Sequence, residues 1–254
     1  MIAPAPIRGM RAAFVFLTRI PVGGFPYRSE DFAWAAAHAP FVGLVLGAML
    51  GGLDVLLLPL GALPAAFLVM GASLLLTGAF HEDGLADSSD ALGGAYDRER
   101  VLAILKDSRI GTFGAAALVV SIAGRAALVA QLGRSAAWAL PIVGCSARVA
   151  PIWLMAALPY VTPAPDAKSI HVARGGVAQA GAATAWLFAA SVAAVRLGWL
   201  TPTRSLLLVL SLALVALLTG WRYKRRLGGI TGDFLGATEQ VGELVALAVL
   251  AWPA

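Results

Sequence analysis

Three aspartates with helical spacing are the residues best suited to do chemistry in this sequence. Asp83, Asp87 and Asp90 stand at i, i+4 and i+7, so a helix would place their carboxylates on one side. Seven of the 14 acidic residues of the chain fall between positions 82 and 107. Aligned like charges favour a bound cation, and carboxylate oxygens suit Mg²⁺. The spacing therefore predicts a Mg²⁺ site that bridges a substrate phosphate; the alternative is a solvated helix face.

His81 opens this acidic segment, just after a long apolar stretch. An imidazole at this place can act as a general base or contact a phosphate. It can equally anchor the helix at the membrane interface. Both interpretations stay open from the sequence.

A second polar segment contains Lys106, Asp107, Ser108 and Arg109. Arg binds phosphate oxygens in a bidentate way and Lys binds them as a point charge, while a hydroxyl adds a further contact. Gly111 follows, at the start of an apolar stretch whose first free N–H groups also suit an anion. The segment predicts phosphate binding; the alternative is a cationic anchor at the membrane surface.

A third segment, 228–239, is rich in glycine before a predicted helix. Such a turn can hold phosphate through its backbone N–H groups, so we expect Thr231, Gly232 and Glu239 to contact substrate. Asp233 lies at the membrane border, where it would act as a catalytic base or as another metal ligand.

Two acids of the last apolar stretch, Glu239 and Glu243, require a partner or a function. Carboxylates inside a bilayer are costly and mark one or the other. Arg125 and Arg148 also lie within apolar stretches and are their natural partners. A structural ion pair and a functional role therefore both stay open.

The composition predicts the scaffold that carries these residues. Hydrophobic residues make up 59% of the chain and charged residues 13%, against about 25% charged in soluble domains. We expect an all-α, polytopic integral membrane bundle that forms a single domain over residues 1–254. About seven stretches are long enough to cross roughly 30 Å of hydrocarbon. They are 34–59, 62–80, 112–132, 136–158, 177–198, 204–220 and 234–252.

The local signals predict how the acidic segment is carried. The second span is expected to open at Pro64, to run unbroken through the aspartates and to stop at Gly93 and Gly94. A short helix over 98–106 should follow, with Asp97 as its N-cap.

The distribution of positive charge predicts the orientation. With the N-terminus inside, 14 Lys and Arg residues fall in inner segments, Lys168 and Arg174 among them, and three fall in outer loops. The acidic segment would then face the cytoplasm. The net charge of +5 reflects this bias and attraction to anionic headgroups, not nucleic-acid binding. The N-terminus is expected to lie at the interface rather than to be a cleaved signal. The oligomeric state stays open, a homo-oligomer included.

Carboxylates for a metal, cations for phosphate and a glycine-rich turn together indicate phosphoryl or nucleotidyl-phosphate transfer. In such reactions the protein mainly positions groups and neutralises charge. Four motifs, in order along the chain, resemble the cobalamin synthase family, the adenosylcobinamide-GDP ribazoletransferases. They are Phe16-Leu-Thr-Arg-Ile-Pro21, His81-x-Asp83-Gly-Leu-Ala-Asp87-x-x-Asp90, Lys106-Asp-Ser-Arg109-x-Gly111 and Thr231-Gly-Asp233-x-Leu-Gly-Ala237.

The resemblance implies a Mg²⁺-dependent enzyme of the bacterial inner membrane. It would join adenosylcobinamide-GDP to α-ribazole or α-ribazole 5′-phosphate, release GMP and so act in the last steps of cobalamin biosynthesis. The three aspartates would hold Mg²⁺ on the pyrophosphate, and Lys106 and Arg109 would neutralise the departing phosphate. From position we expect Asp233 to be the base, with His81 as the second choice.

Two other functions remain to be weighed. A CDP-alcohol phosphotransferase-like enzyme also uses Asp-rich helices, but its pattern has Arg where this chain has Asp87. An ion-coupled transporter could use Glu239 and Glu243 with Arg125 and Arg148 as a relay within the membrane. The chain shows no internal repeat, which disfavours the inverted-repeat transporters.

Overall fold

The computed structural model describes residues 4–23, 28–161 and 175–253. Lys168 and Arg174, which enter the charge count above, lie outside these ranges. The described residues are helical, with one isolated β-bridge between Tyr160 and Ile230. The helices are α1 (Ala5–Leu17), α2 (Ser29–Leu57), α3 (Ala62–Thr77), α4 (Phe80–Gly94), α5 (Arg98–Ile104), α6 (Thr112–Leu132), α7 (Ala136–Ala147), α8 (Val149–Ala157), α9 (Val177–Arg196), α10 (Pro202–Leu227) and α11 (Gly232–Ala251).

The helices confirm an all-α polytopic membrane protein. Five stretches of the described residues are long and apolar enough to cross a membrane, and the bent pair of α3 and α4 makes a sixth if it counts as one span. They are Glu30–Leu60, Thr112–Ala157, Val177–Arg196, Pro202–Leu227 and Gly232–Ala251.

The difference from seven lies mainly in the stretch Thr112–Ala157, which has 46 residues. A straight helix of that length would measure roughly 69 Å, about twice the hydrocarbon thickness. The sequence predicts two spans in this stretch, with the boundary at 133–135. The structure has a 3₁₀ turn at that boundary, where Gly133 takes a φ of 53°. The number of spans stays a prediction, as does the side of the membrane on which the N-terminus lies.

Close helix packing builds the frame of the bundle. α2 and α7 run antiparallel, and a Cβ on Gly43 or Gly51 of α2 would strike the backbone of Gly144 or Ala137 of α7. Small residues allow this approach, which gives dispersion contacts that lipid cannot supply. α6 runs alongside α11 in the same direction.

The expectation of one unbroken helix from Pro64 through the aspartates is wrong. Gly78 and Ala79 both adopt left-handed conformations, with φ of 70° and 57°, and α3 and α4 meet at 93°. The N–H groups of both residues bond to the Leu74 carbonyl, which ends α3 in a compact turn. α4 therefore leaves the direction of α3 and carries the acidic segment across the end of the bundle.

The far end of α4 matches the prediction more closely. α4 stops at Gly94, and the Asp97 side chain accepts the Arg100 N–H at 2.8 Å to cap α5. Arg226 of α10 donates to the carbonyls of Leu92 and Ala95 at this end. A cation at a helix C-terminus also opposes the negative end of the helix dipole. Both ends of α4 are thus held by specific contacts.

Candidate active site at the crossing of α4 and α11

α4 and α11 cross at unusually close range beside the aspartates. A Cβ added to Gly84 would lie 2.8 Å from the Asp233 carbonyl oxygen, and one added to Gly236 would lie 3.3 Å from the His81 carbonyl oxygen. Gly84 is therefore a packing glycine, since any side chain there would meet the Asp233 backbone. The crossing brings together the second and fourth sequence motifs, which are far apart along the chain.

The crossing places Asp233 against the predicted metal residues. Asp83 is exposed, while Asp87 and Asp233 are half-buried. Burial and the charges of Asp83, Asp233 and Asp90 together raise the pKa of Asp87 to about 7. We call Asp83, Asp87 and Asp233 the carboxylate face. Its acids repel one another, which the sequence indicated for α4 but not for α11.

The carboxylate face suits a hard divalent cation by its chemistry. All its donors are carboxylate oxygens, and a bound cation would relieve the repulsion that raises the pKa of Asp87. Within the described ranges, no group of three or more His, Cys, Asp or Glu side chains is already placed to hold a metal ion. Mg²⁺ commonly takes one or two carboxylates and completes its shell with water and phosphate oxygens, so a preformed cage is not required.

Asp90 has a structural task that its spacing does not reveal. Its carboxylate accepts the N–H of Gly111 at 2.7 Å and the N–H of Gly114 at 2.8 Å. These groups belong to the start of α6, whose first N–H groups have no partner within the helix. Asp90 thus ties α6 to α4. Its assignment as a metal ligand stays a prediction.

The Lys106–Arg109 segment lies between α5 and α6, next to Asp90 through Gly111. Arg109 is 87% exposed and pairs with Asp107 at 2.6 Å. The hydrogen bonds from Arg109 lower the pKa of Asp107 to about 2. An exposed pair of this kind is weak, so a phosphate can compete for the guanidinium. Ser108 is exposed as well.

The start of α11 is built by Thr231 and Gly232. The Thr231 hydroxyl accepts the Phe234 N–H at 3.3 Å and lies 3.4 Å from Oδ2 of Asp233. Thr231 is 2% exposed, and its role in the structure is to cap α11 and to orient Asp233. The positive end of α11 therefore points to the carboxylate face, a place that suits an anion. Substrate contact by Thr231 and Gly232 stays a prediction.

A second set of charges lies deeper, and each of its members contacts an opposite charge. Arg125 contacts Glu243 at 2.7 Å and Glu82 at 3.0 Å, and Arg148 contacts Glu239 at 3.0 Å and Glu243 at 3.4 Å. We call these five residues the buried ion network. The structural alternative for Glu239 and Glu243, an ion pair with arginine, is thus what the structure shows. In a transporter relay each of these acids would already be engaged by an arginine. A substrate role for Glu239 stays a prediction.

His81 lies at the edge of this network. Its Nδ1 is 3.7 Å from Oε2 of Glu239, and the residue is 6% exposed. The ring also meets Phe80 edge-on, with the centroids 5.3 Å apart. His81 therefore meets the network through Glu239 and precedes Asp83 by two residues on α4. Its position alone does not separate a catalytic role from an anchoring one.

Two contacts that hold the site in place escaped the sequence analysis. Glu82 is the partner of Arg125, and Arg226 holds the end of α4. The sequence held a signal for the contact of Glu82, because an arginine within an apolar stretch needs an acidic partner. The contact of Arg226 depends on how α10 packs against α4, and no local sequence pattern predicts that packing.

A cleft opens beside the crossing, between α1, α2, α4, α8 and α11. Phe16 and Phe80 stand at its wall with their rings edge-to-face, 5.2 Å between centroids. His81, Arg148 and Glu239 are its polar lining residues, and Gly232 connects it to the start of α11.

Fold and site together define a polytopic membrane enzyme that handles phosphate groups. The family model described as Cobalamin-5-phosphate synthase matches residues 9–251. The chain is 39% identical to the adenosylcobinamide-GDP ribazoletransferase of Polaromonas sp. (strain JS666 / ATCC BAA-500), over 94% of each protein. It is 41% identical to the protein of the same name from Leptothrix cholodnii, over 92% of this chain and 91% of the other. The relative from Allorhizobium ampelinum shares 39% identity over 93% of each.

The chain therefore belongs to the cobalamin-5-phosphate synthase family. The resemblance drawn from the four motifs is confirmed, and so is the expectation of an enzyme of phosphotransferase type. No solved structure matches the chain.

Proposed function

We propose that this protein joins adenosylcobinamide-GDP to α-ribazole, or to α-ribazole 5′-phosphate, and releases GMP. Relatives that match nearly the whole chain carry the name of this transferase. The observation that carries the proposal is the crossing of α4 and α11, because it gathers the carboxylates of two separate family motifs at one place. We also propose that the enzyme lies in the bacterial inner membrane with this crossing toward the cytoplasm.

In the proposed reaction a ribazole hydroxyl attacks the phosphorus that carries the cobinamide. A new P–O bond forms, the bond to GMP breaks, and GMP leaves with the electron pair. The hydroxyl proton must pass to a base. Asp233 is our first choice because it lies at the crossing with its carboxylate beside the start of α11. His81 is the second choice, since it is buried against Glu239.

The carboxylate face would hold Mg²⁺ through Asp83 and Asp87, with Asp90 as the third candidate. When bound, the ion supplies charge neutralisation and a template for the pyrophosphate oxygens. The proposal rests on the gathering of these carboxylates at the crossing and on the oxygen-only donor set; burial, and after it the repulsion among the carboxylates, raises the pKa of Asp87. Asp90 would have to keep its bonds to α6 while it contributes.

The cations and the helix start would stabilise the phosphate charge. Arg109 can exchange its exposed partner Asp107 for a phosphate oxygen, and Lys106 stands on the same segment. The first N–H groups of α11 at Thr231 and Gly232 face the same region. Positioned donors of this kind lower the barrier because they need little reorganisation during the reaction.

The test is GMP release by purified protein in liposomes, with adenosylcobinamide-GDP and α-ribazole 5′-phosphate, with and without Mg²⁺. We expect GMP and a completed corrinoid in equal amounts, both lost on chelation and in Asp83→Asn. Glu99→Gln, an exposed acid on the neighbouring helix α5, is the matched control and should keep activity. Folded protein that releases no GMP would overturn the proposal, and CDP-alcohols would then be tried as substrates.

A further inference from the structure

The apolar part of the cleft beside the crossing is not used by the mechanism above. Its lining, mostly apolar with a few polar groups, is typical of a small-molecule site, and its cavity volume is about 80 Å³. Its walls are mostly apolar and include Phe16 of α1, Phe80 of α4 and Met155 of α8. It borders Gly232, the residue before Asp233, and His81, which precedes Asp83 by two residues on α4. An occupant would therefore lie next to the reacting phosphate.

The charged groups at the polar end of the cleft already have partners. Arg148 Nη2 lies 3.0 Å from Oε1 of Glu239, close enough for strong attraction although the geometry is not that of a hydrogen bond. The Gln240 side-chain N–H donates to the other carboxylate oxygen at 3.0 Å. Because this end is both buried and paired, a phosphate placed there would lose its hydration without a free cation.

The apolar walls and the paired polar end favour one part of the two proposed substrates over the others. The guanine of adenosylcobinamide-GDP has a carbonyl, an amine and a ring N–H that all need partners, and the corrin ring is large and fringed with amides. The benzimidazole base of α-ribazole is flat and apolar, and it has one ring nitrogen free to accept a hydrogen bond. Apolar walls with few polar groups suit the last of these.

We infer that the cleft between α1, α4, α8 and α11 binds the base of α-ribazole. The inference rests on the proposed function and adds where the second substrate lies. The rings of Phe16 and Phe80 form its aromatic wall, which favours stacked or edge-to-face contact with a flat base. The ribose then extends past His81 toward the carboxylate face, where its hydroxyl reacts.

The same placement explains why the first family motif belongs to the site. Phe16 and Leu17 end α1 at the cleft, and the Arg19 N–H bonds to the Leu76 carbonyl at 2.7 Å. That bond fastens the segment after α1 to the end of α3, next to the bend that starts α4. The N-terminal segment thus closes the cleft without contributing to the carboxylate face.

The first test is binding of α-ribazole to the purified protein in lipid nanodiscs, with phosphate groups absent from the ligand. Phe80→Ala should weaken binding about tenfold and raise the KM for α-ribazole by a similar factor, while the KM for adenosylcobinamide-GDP stays unchanged. Phe80 is 41% exposed, so the truncation is compatible with folding. Phe188→Ala, which removes an exposed phenyl ring of α9, is the control and should change neither value.

A second variant tests the size of the cleft. Leu235 is half-buried at its wall, so Leu235→Phe should shift preference about tenfold from the 5,6-dimethylbenzimidazole riboside toward the unsubstituted benzimidazole riboside. GMP release with unchanged α-ribazole affinity and base preference in both variants would overturn the inference. Phospholipid that stays in the cleft while α-ribazole is turned over would also overturn it. Folded wild type that neither binds α-ribazole nor releases GMP would overturn the proposed function as well.

Discussion

Two groups of acids lie within a turn or two of each other on the same helices, yet their surroundings differ. Glu82 and Asp83 are neighbours on α4, but Glu82 is 5% exposed and bound to Arg125, whereas Asp83 is exposed. On α11, Asp233 lies at the helix start and Glu239 is buried against Arg148. In the buried ion network three acids share two arginines, and each acid contacts at least one of them. The carboxylate face has no arginine among its members, and burial together with the mutual repulsion of its acids raises the pKa of Asp87.

The difference shows how to interpret acids in a membrane protein. A buried charge without a partner is too costly to keep, so the acids inside the bundle come with arginines and serve the fold. Acids at the border are hydrated and can stay unpaired until a cation arrives. The sequence shows both groups simply as acids on the same helices. The presence or absence of an arginine partner in the structure then decides whether an acid serves the fold or is available to a cation.

The largest expected effect comes from removing charge on the carboxylate face. Asp87→Asn should lower GMP release about 10³-fold or more, roughly 4 kcal/mol, because the divalent cation loses a ligand. The measurement is the rate at saturating Mg²⁺ in liposomes. Glu99→Gln on α5 should stay within about twofold. An Asp87→Asn enzyme with near-normal rates would show that the face is not catalytic.

The buried ion network should instead affect stability. Arg125→Met leaves Glu82 buried without a cation and Glu243 with Arg148 alone, and we expect a loss of about 3 kcal/mol or more in the free energy of unfolding. The chain has one cysteine, Cys145, which is buried, so its labelling by a thiol dye reports unfolding. Arg134→Met, at an exposed arginine, is the control. Equal unfolding of the two variants would contradict the structural role.

The distance between α4 and α11 can be tested separately. Gly84→Ala would press a methyl group against the Asp233 backbone, and we expect a cost of about 1–3 kcal/mol together with lower activity. Gly71→Ala is the matched change, because a Cβ there has nothing within 4 Å. That control should be neutral or stabilising by about 0.5–1 kcal/mol. If both variants behave alike, close contact at the crossing is not needed.

Asp90 allows the smallest and sharpest comparison. Asp90→Ala removes the bonds to Gly111 and Gly114 and should cost about 1–2 kcal/mol of stability. An asparagine side chain has one acceptor oxygen, so Asp90→Asn keeps one of the two hydrogen bonds and should cost less stability than Asp90→Ala. GMP release then separates the roles. Activity retained in Asp90→Asn assigns Asp90 to the cap, and activity lost in it supports the predicted metal ligand.

Much of the scaffold was predictable, because composition and apolar stretches decide the helices of a membrane protein. The end of α4 at Gly94 and the Asp97 cap follow local rules and were predicted. The bend before α4 was not, because Ala79 takes a left-handed conformation that its residue type does not announce. That conformation is favoured by the packing of the whole turn.

The site was predictable as a set of residues but not as an arrangement. The spacing of Asp83 and Asp87 indicates one helix face, yet nothing local shows that Asp233 packs against it. The same limit hid the bond between Asp90 and the start of α6. Contacts between distant segments depend on the packing of the bundle, and a single sequence does not display it.

The most direct test of the account is to measure Mn²⁺ affinity by electron paramagnetic resonance with adenosylcobinamide-GDP present. Wild-type protein in nanodiscs should bind Mn²⁺, and Asp83→Asn and Asp87→Asn should each weaken that binding at least about tenfold. Glu82→Gln, next to Asp83 but part of the buried ion network, should leave Mn²⁺ affinity unchanged in the folded fraction. Equal weakening by all three variants, or by none, would contradict the division between a carboxylate face for the metal and a network for the fold.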